Sequence, residues 1–262
     1  MQKYGGKTIA TVVSSKHALS AESIGADAIM ATGHEAAAHG GDVTSMVLVP
    51  ALASRLKIPI IAAGGFADGR GLMAALSLGA DAIAMGTRFA TSSDSPLADK
   101  TKAAIVASRE DETIYSDKFD GMHARVLRTQ ASLKATRKHM NPVLAAIKSF
   151  QAAKLINMPM WQVIPGLMTQ YKKMYQLALF GAAMDKILAA NNGDLDYGVQ
   201  FVGQSLGLVH EVKSVDLILK DIIAEALEVH HRNQSRLSSG EDLRVDAKVF
   251  VRPRASAAAG GG

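Results

Sequence analysis

Two glycine-containing turns carry residues that are able to hold a phosphate group. Gly64-Gly65 follows the apolar run Ile58–Ala63, and Gly86-Thr87 follows the apolar run Ala80–Met85. Because glycine has no Cβ and tolerates positive φ, the backbone at such turns can approach a ligand and direct N–H groups at it. Two such turns on neighbouring strands can point several N–H groups at one anion. The spacing therefore predicts a phosphate cradle.

A second group of candidate residues lies in the polar loop 33–42, which contains His34, Glu35 and His39. Imidazole gains and loses a proton near neutral pH, so the loop is a candidate proton-transfer site beside a bound cofactor. The same residues are compatible with a solvated loop, or with His39 as a helix cap. No metal site is predicted, because two histidines and one glutamate without a fixed helical spacing lack a metal-ligand pattern.

Four apolar strands and the helices between them would position these residues. The predicted strands are Lys7–Ser14, Ala26–Thr32, Ile58–Ala63 and Ala80–Met85. The predicted helices are His17–Gly25, Thr44–Leu56 (with Thr44 as its cap) and Gly69–Leu78. Such alternation indicates a parallel α/β sheet whose loops of interest share one edge. Four βα units are half of a TIM-type (β/α)8 barrel. A parallel sheet with two open edges is not expected to be stable on its own. We expect the other half to be supplied by further sequence or by another chain.

The sequence changes character after about residue 95. No further strand is predicted, apart from a brief extended piece at Asp111–Tyr115. Helices are predicted at Leu97–Ala107, Arg125–Thr136, Asn141–Asn157, Pro159–Ala190, Gly198–Leu206 and Val215–Arg232. We therefore divide the chain into a half-barrel at 1–140, an all-α region at 141–232 and a disordered polar tail at 233–262.

Composition excludes several classes of protein. The net charge is +5, but the basic residues are dispersed and are not interleaved with aromatic ones, so no nucleic-acid partner is predicted. The chain has no cysteine, which rules out disulfides and thiolate chemistry. No apolar run reaches the roughly 20 residues of a membrane span, and no signal-peptide core follows Met1. We expect a cytoplasmic protein.

Three ordered motifs identify a family. The segments GHEAAAHGG, IPIIAAGGFADGRG and AIAMGTRFATSSDS, followed by GMHARVL, resemble the nitronate monooxygenase family, which also includes the FMN-dependent enoyl-ACP reductases. The match runs from about Lys7 to Arg128. A weaker similarity continues through Gly193-Asp194 and Gly203-Gln204 into the helix that starts at Val215.

The resemblance implies FMN as the cofactor and assigns roles to individual residues. His39 would be the active-site histidine, acting as a base on a nitroalkane or positioning the nitronate. The implied cofactor-binding residues are Thr32, Ala37, Gly64, Gly65, Ala84, Met85, Gly86 and Thr87. Two departures from the family pattern affect the flavin contacts and the substrate. Ala37-Ala38 replaces a Gly-Gly pair, and Ala84 and Thr32 each replace a glutamine.

Three functions remain open at this point. The first is oxidation of alkyl nitronates or nitroalkanes with O₂, and the second is reduction of enoyl-thioesters with NAD(P)H through the same flavin. The third is a non-catalytic fragment or subunit whose partner completes the barrel. The expected partners are a small-molecule substrate and O₂, together with either a second copy of the chain or the missing N-terminal half. No membrane partner is expected.

Overall fold

The computed structural model describes residues 4–37, 39–137 and 171–238, together with residues 141, 147, 148, 150, 153, 154 and 159. Its first part is a four-stranded parallel sheet in the order β1-β2-β3-β4. The strands are β1 Ile9–Val12, β2 Ala28–Thr32, β3 Ile60–Ala63 and β4 Ala82–Ala84. The crossover helices are α1 Ser15–Ser23, α2 Ser45–Ala53 and α3 Gly69–Ser77. The four strands and three helices predicted for the first 90 residues are confirmed.

The core of this sheet lies between the central strands and α2. Ile29 on β2 and Ile60 on β3 are buried against Leu48, Val49 and Leu52. Complete burial of such a side chain contributes about 1.5–3 kcal/mol. Apart from Thr32 at the end of β2, the residues of these two strands are apolar, as expected of a parallel sheet that is covered by helices.

The two outer strands are more open to solvent. Ile9 on β1 is 51% exposed, and Ala82 on β4 is also exposed. Each of these strands pairs on one side only within the described part of the chain. The sheet therefore has two open edges, one beside β1 and one beside β4.

A β-hairpin follows the sheet. Its first strand confirms the extended piece predicted at Asp111–Tyr115, whereas its second strand was not predicted. β5 Thr113–Ser116 pairs antiparallel with β6 Ala124–Leu127. The first half of the predicted helix Arg125–Thr136 is therefore wrong, because all four residues of β6 are buried and paired in the hairpin. The helix α6 spans only Gln130–Arg137. At its start, Thr129 and Ser132 exchange hydrogen bonds between side chain and backbone N–H. Such a reciprocal cap fixes the first turn of a helix.

The remaining described helices are α4 Thr87–Ala90, α5 Asp99–Val106, α7 Tyr171–Asn191 and α8 Val215–Ser238. The predicted helix Gly198–Leu206 is wrong. Phe201 forms a bridge with Val126, and a short 3-10 helix occupies Gln204–Leu208. Gly198 packs so closely on α7 that a Cβ there would lie 2.3 Å from the backbone N of Ala190.

The long helix α8 packs against α3. An added Cβ at Gly69 would lie 2.5 Å from the backbone N of Ala226, so only glycine allows this approach. The Glu225 carboxylate accepts the Gly69 N–H at 2.7 Å and so caps the first turn of α3.

α8 continues to Ser238, into the stretch that was predicted to be disordered. Residues 239–262 lie outside the described residues, as does most of the predicted helix Asn141–Asn157. Within the described residues no helix is long and apolar enough to cross a membrane.

Candidate active site

A cavity of about 460 Å³ opens at the carboxyl ends of the four parallel strands. Carboxyl ends of strands are where α/β folds bind their ligands. All nine site residues predicted from the sequence line this one cavity. They are Thr32, Ala37, His39, Gly64, Gly65, Ala84, Met85, Gly86 and Thr87. The structure therefore brings the predicted residues together, while their individual roles remain predictions.

The turn after β3 requires glycine at two successive positions. Gly64 and Gly65 have φ of +92° and +86°, a region in which residues with a Cβ are strained. A Cβ at Gly64 would also lie 3.1 Å from the carbonyl oxygen of Gly33 and 3.2 Å from the backbone N of Ala36. The turn can thus pack tightly against the loop after β2.

The turn after β4 presents an open backbone and one hydroxyl group. A Cβ at Gly86 would meet no atom within 4 Å, so the backbone faces free space there. The buried Thr87 accepts the Gly203 N–H at its Oγ1 at 3.0 Å. Its own hydroxyl proton remains available for donation into the cavity. Within the described residues, no group accepts a hydrogen bond from the N–H of Gly65, Gly86 or Thr87.

His39 adopts an uncommon backbone conformation at the cavity wall. Its φ of +25° is the only positive value at a non-glycine position among the described residues. Such outliers concentrate at functional sites, where surrounding contacts hold them in place. Its Nε2 lies 2.9 Å from Oδ2 of Asp120, whose side chain is 3% exposed. Asp120 was missed in the sequence, because no local spacing connects it to His39.

The other two polar residues of the predicted proton-transfer loop have structural roles. The Glu35 carboxylate accepts hydrogen bonds from the backbone N–H and the hydroxyl of Ser45 at the start of α2. It therefore replaces the predicted cap Thr44, which makes no side-chain capping bond. Nδ1 of His34 lies 3.0 Å from the carbonyl oxygen of Gly41. Neither Glu35 nor His34 lines the cavity, so His39 is the loop's candidate for proton transfer.

The hairpin β5–β6 holds the loop that carries His39. The Arg125 N–H donates to the Ala37 carbonyl at 2.6 Å, and its guanidinium donates to the His34 carbonyl at 3.0 Å. Burial lowers the pKa of the Arg125 guanidinium from its ordinary value. The Tyr115 hydroxyl donates to the Gly40 carbonyl at 3.0 Å. Burial, followed by the negative charge of Asp42, raises the pKa of Tyr115 above its ordinary value.

Several charged residues near the glycine turns have structural roles. Asp68 accepts the Gly71 N–H and caps α3, and Arg70 pairs with Asp68 and Glu225. The buried Arg88 donates to the Glu211 carbonyl at 2.8 Å. None of these residues lines the cavity.

The C-terminal part of the chain also contributes to the cavity wall. Gly203 and Ser205 line it, although neither was selected as a site residue. A Cβ at Gly203 would lie 2.7 Å from the carbonyl oxygen of Glu35, so the loop and this segment meet backbone to backbone. The sequence signal was present in the pair Gly203-Gln204, which belongs to the weaker part of the family resemblance.

The sequence matches one family model and several known proteins. A family model described as nitronate monooxygenase matches residues 2–225. The chain is 33% identical over 233 residues to the (3aS,4S,5R,7aS)-5-hydroxy-7a-methyl-1-oxo-octahydro-1H-indene-4-carboxyl-CoA dehydrogenase of Rhodococcus jostii strain RHA1, covering 86% of this chain and 65% of that protein. It is 40% identical over 129 residues to a probable nitronate monooxygenase of Staphylococcus aureus strain JH9, covering 45% of this chain and 36% of that protein.

Among solved structures, FabK from Thermotoga maritima matches with a TM-score of 0.70 and 33% sequence identity. The match covers 90% of this chain and 65% of that chain. The α/β architecture with four parallel strands is therefore similar to that of FabK. The match therefore spans slightly less than two thirds of the R. jostii protein and of FabK, and about a third of the S. aureus protein.

Proposed function

Because the chain belongs to the nitronate monooxygenase family of oxidoreductases, we propose that it is an FMN-dependent enzyme that oxidises alkyl nitronates or nitroalkanes with O₂. The observation that carries the proposal is the convergence of the His39 loop and both glycine turns on one cavity. Its volume of about 460 Å³ is within the usual range for small-molecule and cofactor sites.

The residues at the two glycine turns fit the phosphate group of FMN. The N–H groups of Gly65, Gly86 and Thr87 have no described acceptor, and the Thr87 hydroxyl still has a proton to donate. Backbone N–H groups that converge at strand ends form anion-binding concavities. Since a Cβ at Gly86 would project into free space, glycine leaves room there for a ligand. We assign these groups to the phosphate.

The remaining cavity residues suit the flavin ring. Thr32, Ala37, Ala84 and Met85 line the cavity between and beside the turns and offer mostly apolar surface. The Ala37 methyl occupies a position where the family pattern has glycine. It would therefore leave less space for the flavin ring than glycine does. When bound, FMN supplies the electron transfer between substrate and O₂. The chain's own residues bind it and hold the substrate.

His39 handles the proton in this proposal. A neutral imidazole can remove a proton from the carbon that bears the nitro group, or hold the nitronate once that proton has left. The hairpin β5–β6 fixes the backbone on both sides of His39. Because the backbone of His39 is already fixed, the imidazole needs little further ordering when substrate binds, and this favours its action as a base.

The test of this function is the variant His39→Asn in FMN-loaded protein. We expect turnover of nitroalkanes to fall by about 10²- to 10⁴-fold, the range of a general base, while the flavin absorbance band is retained. The matched control is His17→Asn, because His17 is exposed on α1 and is not part of the cavity wall. Unchanged turnover in His39→Asn would remove this histidine from the mechanism.

A second candidate function is reduction of an enoyl-thioester with NAD(P)H. It is favoured by the similarity to the R. jostii protein, whose name specifies a carboxyl-CoA substrate, and to FabK. The same FMN-loaded protein separates the two functions. Anaerobic bleaching of the flavin by NADPH and its reoxidation by an enoyl-CoA, without response to nitronates, would favour the thioester reaction. Bleaching by a nitronate alone would favour the first function.

The open edges of the sheet support a third proposal, that further strands complete the barrel. β1 and β4 each pair on one side only within the described residues. The relatives above are longer, since the chain covers 65% of each of two of them. Strands added at these edges would come from further sequence or from a partner chain, and they would enclose the cavity. An isolated chain that never takes up FMN would then act as a subunit without catalytic activity of its own.

A further inference from the structure

Asp120 and His39 form a hydrogen-bonded pair at the wall of the cavity. Nε2 of His39 lies 2.9 Å from Oδ2 of Asp120, and the two residues are 81 positions apart in the chain. We propose that Asp120 is a positioning residue that fixes the tautomer of His39, so that the ring exchanges its catalytic proton at Nδ1. This inference rests on the proposed function, in which His39 handles the substrate proton.

The tautomer follows from the chemistry of the contact. An ionised carboxylate only accepts hydrogen bonds, so a distance of 2.9 Å requires a proton on Nε2. A neutral imidazole with its proton on Nε2 has its lone pair on Nδ1. Nδ1 of His39 has no hydrogen-bond partner among the described residues. Nδ1 is therefore the atom that is free to take a proton, and His39 is one of the residues that line the cavity.

The Asp120 carboxylate is itself held in one orientation. Its side chain is 3% exposed, and Oδ1 accepts the N–H of Met122 at 3.1 Å. A buried carboxylate needs such donors to offset the loss of its hydration. One oxygen is thus committed to the backbone of its own turn and the other to His39.

The backbone on both sides of His39 is fixed by the same hairpin. Ala37 accepts the Arg125 N–H at 2.6 Å, and Gly40 accepts the Tyr115 hydroxyl at 3.0 Å. Asp120 lies on the turn between the two strands that carry these donors. The hairpin therefore sets the backbone, the ring orientation and the protonated nitrogen of His39 together.

Asp120→Asn is expected to reverse the tautomer with little change in shape. The Met122 N–H needs an acceptor, so the amide oxygen takes the place of Oδ1. The NH₂ group then faces His39 and donates to Nε2, which moves the ring proton to Nδ1. Nδ1 of His39 can then no longer accept the substrate proton, although the hydrogen bond at Nε2 still holds the ring in place.

The direct measurement is long-range ¹H–¹⁵N NMR of the full chain with labelled histidine, with His39 assigned through His39→Asn. We expect an unprotonated Nδ1 in the unsubstituted chain and a protonated Nδ1 in Asp120→Asn. The control Asp117→Asn, an exposed position on the same turn, should leave the tautomer unchanged. A neutral ring with its lone pair on Nε2 in the unsubstituted chain would overturn the proposal, even if the variant failed to fold.

The second measurement is steady-state nitronate turnover of the FMN-loaded variants. Asp120→Asn should lower kcat by about 10²- to 10⁴-fold, as expected for a base in the wrong tautomer, with KM and FMN affinity nearly unchanged. Unchanged kcat in Asp120→Asn would contradict the proposal. A chain without nitronate turnover would contradict the proposed function alone, since the NMR result does not depend on activity.

Discussion

Thr87 links the phosphate turn to the distant C-terminal part of the chain. Its hydroxyl oxygen accepts the N–H of Gly203, a residue 116 positions away, and its hydroxyl proton is left for a ligand. Both residues are buried and line the cavity. This side chain therefore stabilises the wall of the cavity, and in the proposed function it would also bind the FMN phosphate.

We expect Thr87→Val to weaken FMN binding by about 10- to 150-fold, because one hydrogen bond to a charged group is lost. Riboflavin, which lacks the phosphate, should bind the variant and the unsubstituted chain equally. The variant should also lose about 1–3 kcal/mol of stability, since the buried Gly203 N–H loses its acceptor. Fluorescence titration with each flavin and urea unfolding give the two results.

The matched control is Thr91→Val. Thr91 is fully buried on the turn that follows α4, and its hydroxyl donates to the Thr87 carbonyl, but it does not line the cavity. Its FMN affinity should stay within about twofold of the unsubstituted value. Equal weakening of FMN and riboflavin in Thr87→Val would show that the hydroxyl does not contact the phosphate.

Single residues also show where prediction from sequence succeeds. The turns at Gly64 and Gly86 were found because an apolar run that ends in glycine is a local signal. Asp120 was missed because its relation to His39 depends on where the hairpin β5–β6 packs, 81 residues further on. Glu35 was misassigned for the same reason. Its partner Ser45 lies on the next helix, and only the folded loop brings the two together.

At the level of elements, the contact between α3 and α8 determines how the sheet meets the C-terminal part. Gly69 begins α3 and lies directly against the backbone of α8, where Glu225 caps it. Both helices were predicted from the sequence, at Gly69–Leu78 and Val215–Arg232. Their packing partner was not, because periodicity identifies an apolar face without identifying what covers it.

Gly69→Ala is expected to destabilise the chain by about 1–3 kcal/mol, the usual cost of overpacking. The added Cβ would lie 2.5 Å from the Ala226 backbone N and 2.6 Å from the Ile222 carbonyl oxygen, so α8 must move. Urea unfolding measures the change. In the control Gly71→Ala the nearest atom is a Phe66 ring carbon at 3.3 Å, and the gain in helix propensity should offset that contact. Equal stability of the two variants would mean that α8 does not pack on Gly69.

The hairpin β5–β6 was the main element missed. Its second strand reads ARVL, and the basic residues that follow it favoured a helix in a local window. These residues form a strand because all four residues of β6 are buried and because they pair with β5. Both are tertiary effects that override weak local preference.

At the scale of the whole molecule, the two edges of the sheet that are unpaired within the described residues predict self-association. Unpaired N–H and C=O groups on an exposed edge strand are a template for pairing with another chain. We expect light scattering of the purified chain to give a mass above that of one copy. Ile9→Lys, which places a charge at a 51% exposed position of β1, should shift the mass towards one copy.

The control for this measurement is Leu237→Lys, at an 81% exposed position near the end of α8 and far from either edge in sequence. It should leave the mass unchanged. A monomeric unsubstituted chain that binds FMN stoichiometrically would show that the four strands need no partner.

The hydrogen bonds that join distant parts of this chain also constrain when the fold can be completed. Gly69 bonds to Glu225 across 156 positions, and Thr87 to Gly203 across 116. During synthesis the four strands leave the ribosome long before either partner does. Contacts of such high sequence separation form late and slow down folding. The sheet must therefore remain without its C-terminal cover while more than a hundred further residues are added, and this interval is when its open edges are most prone to misassociation.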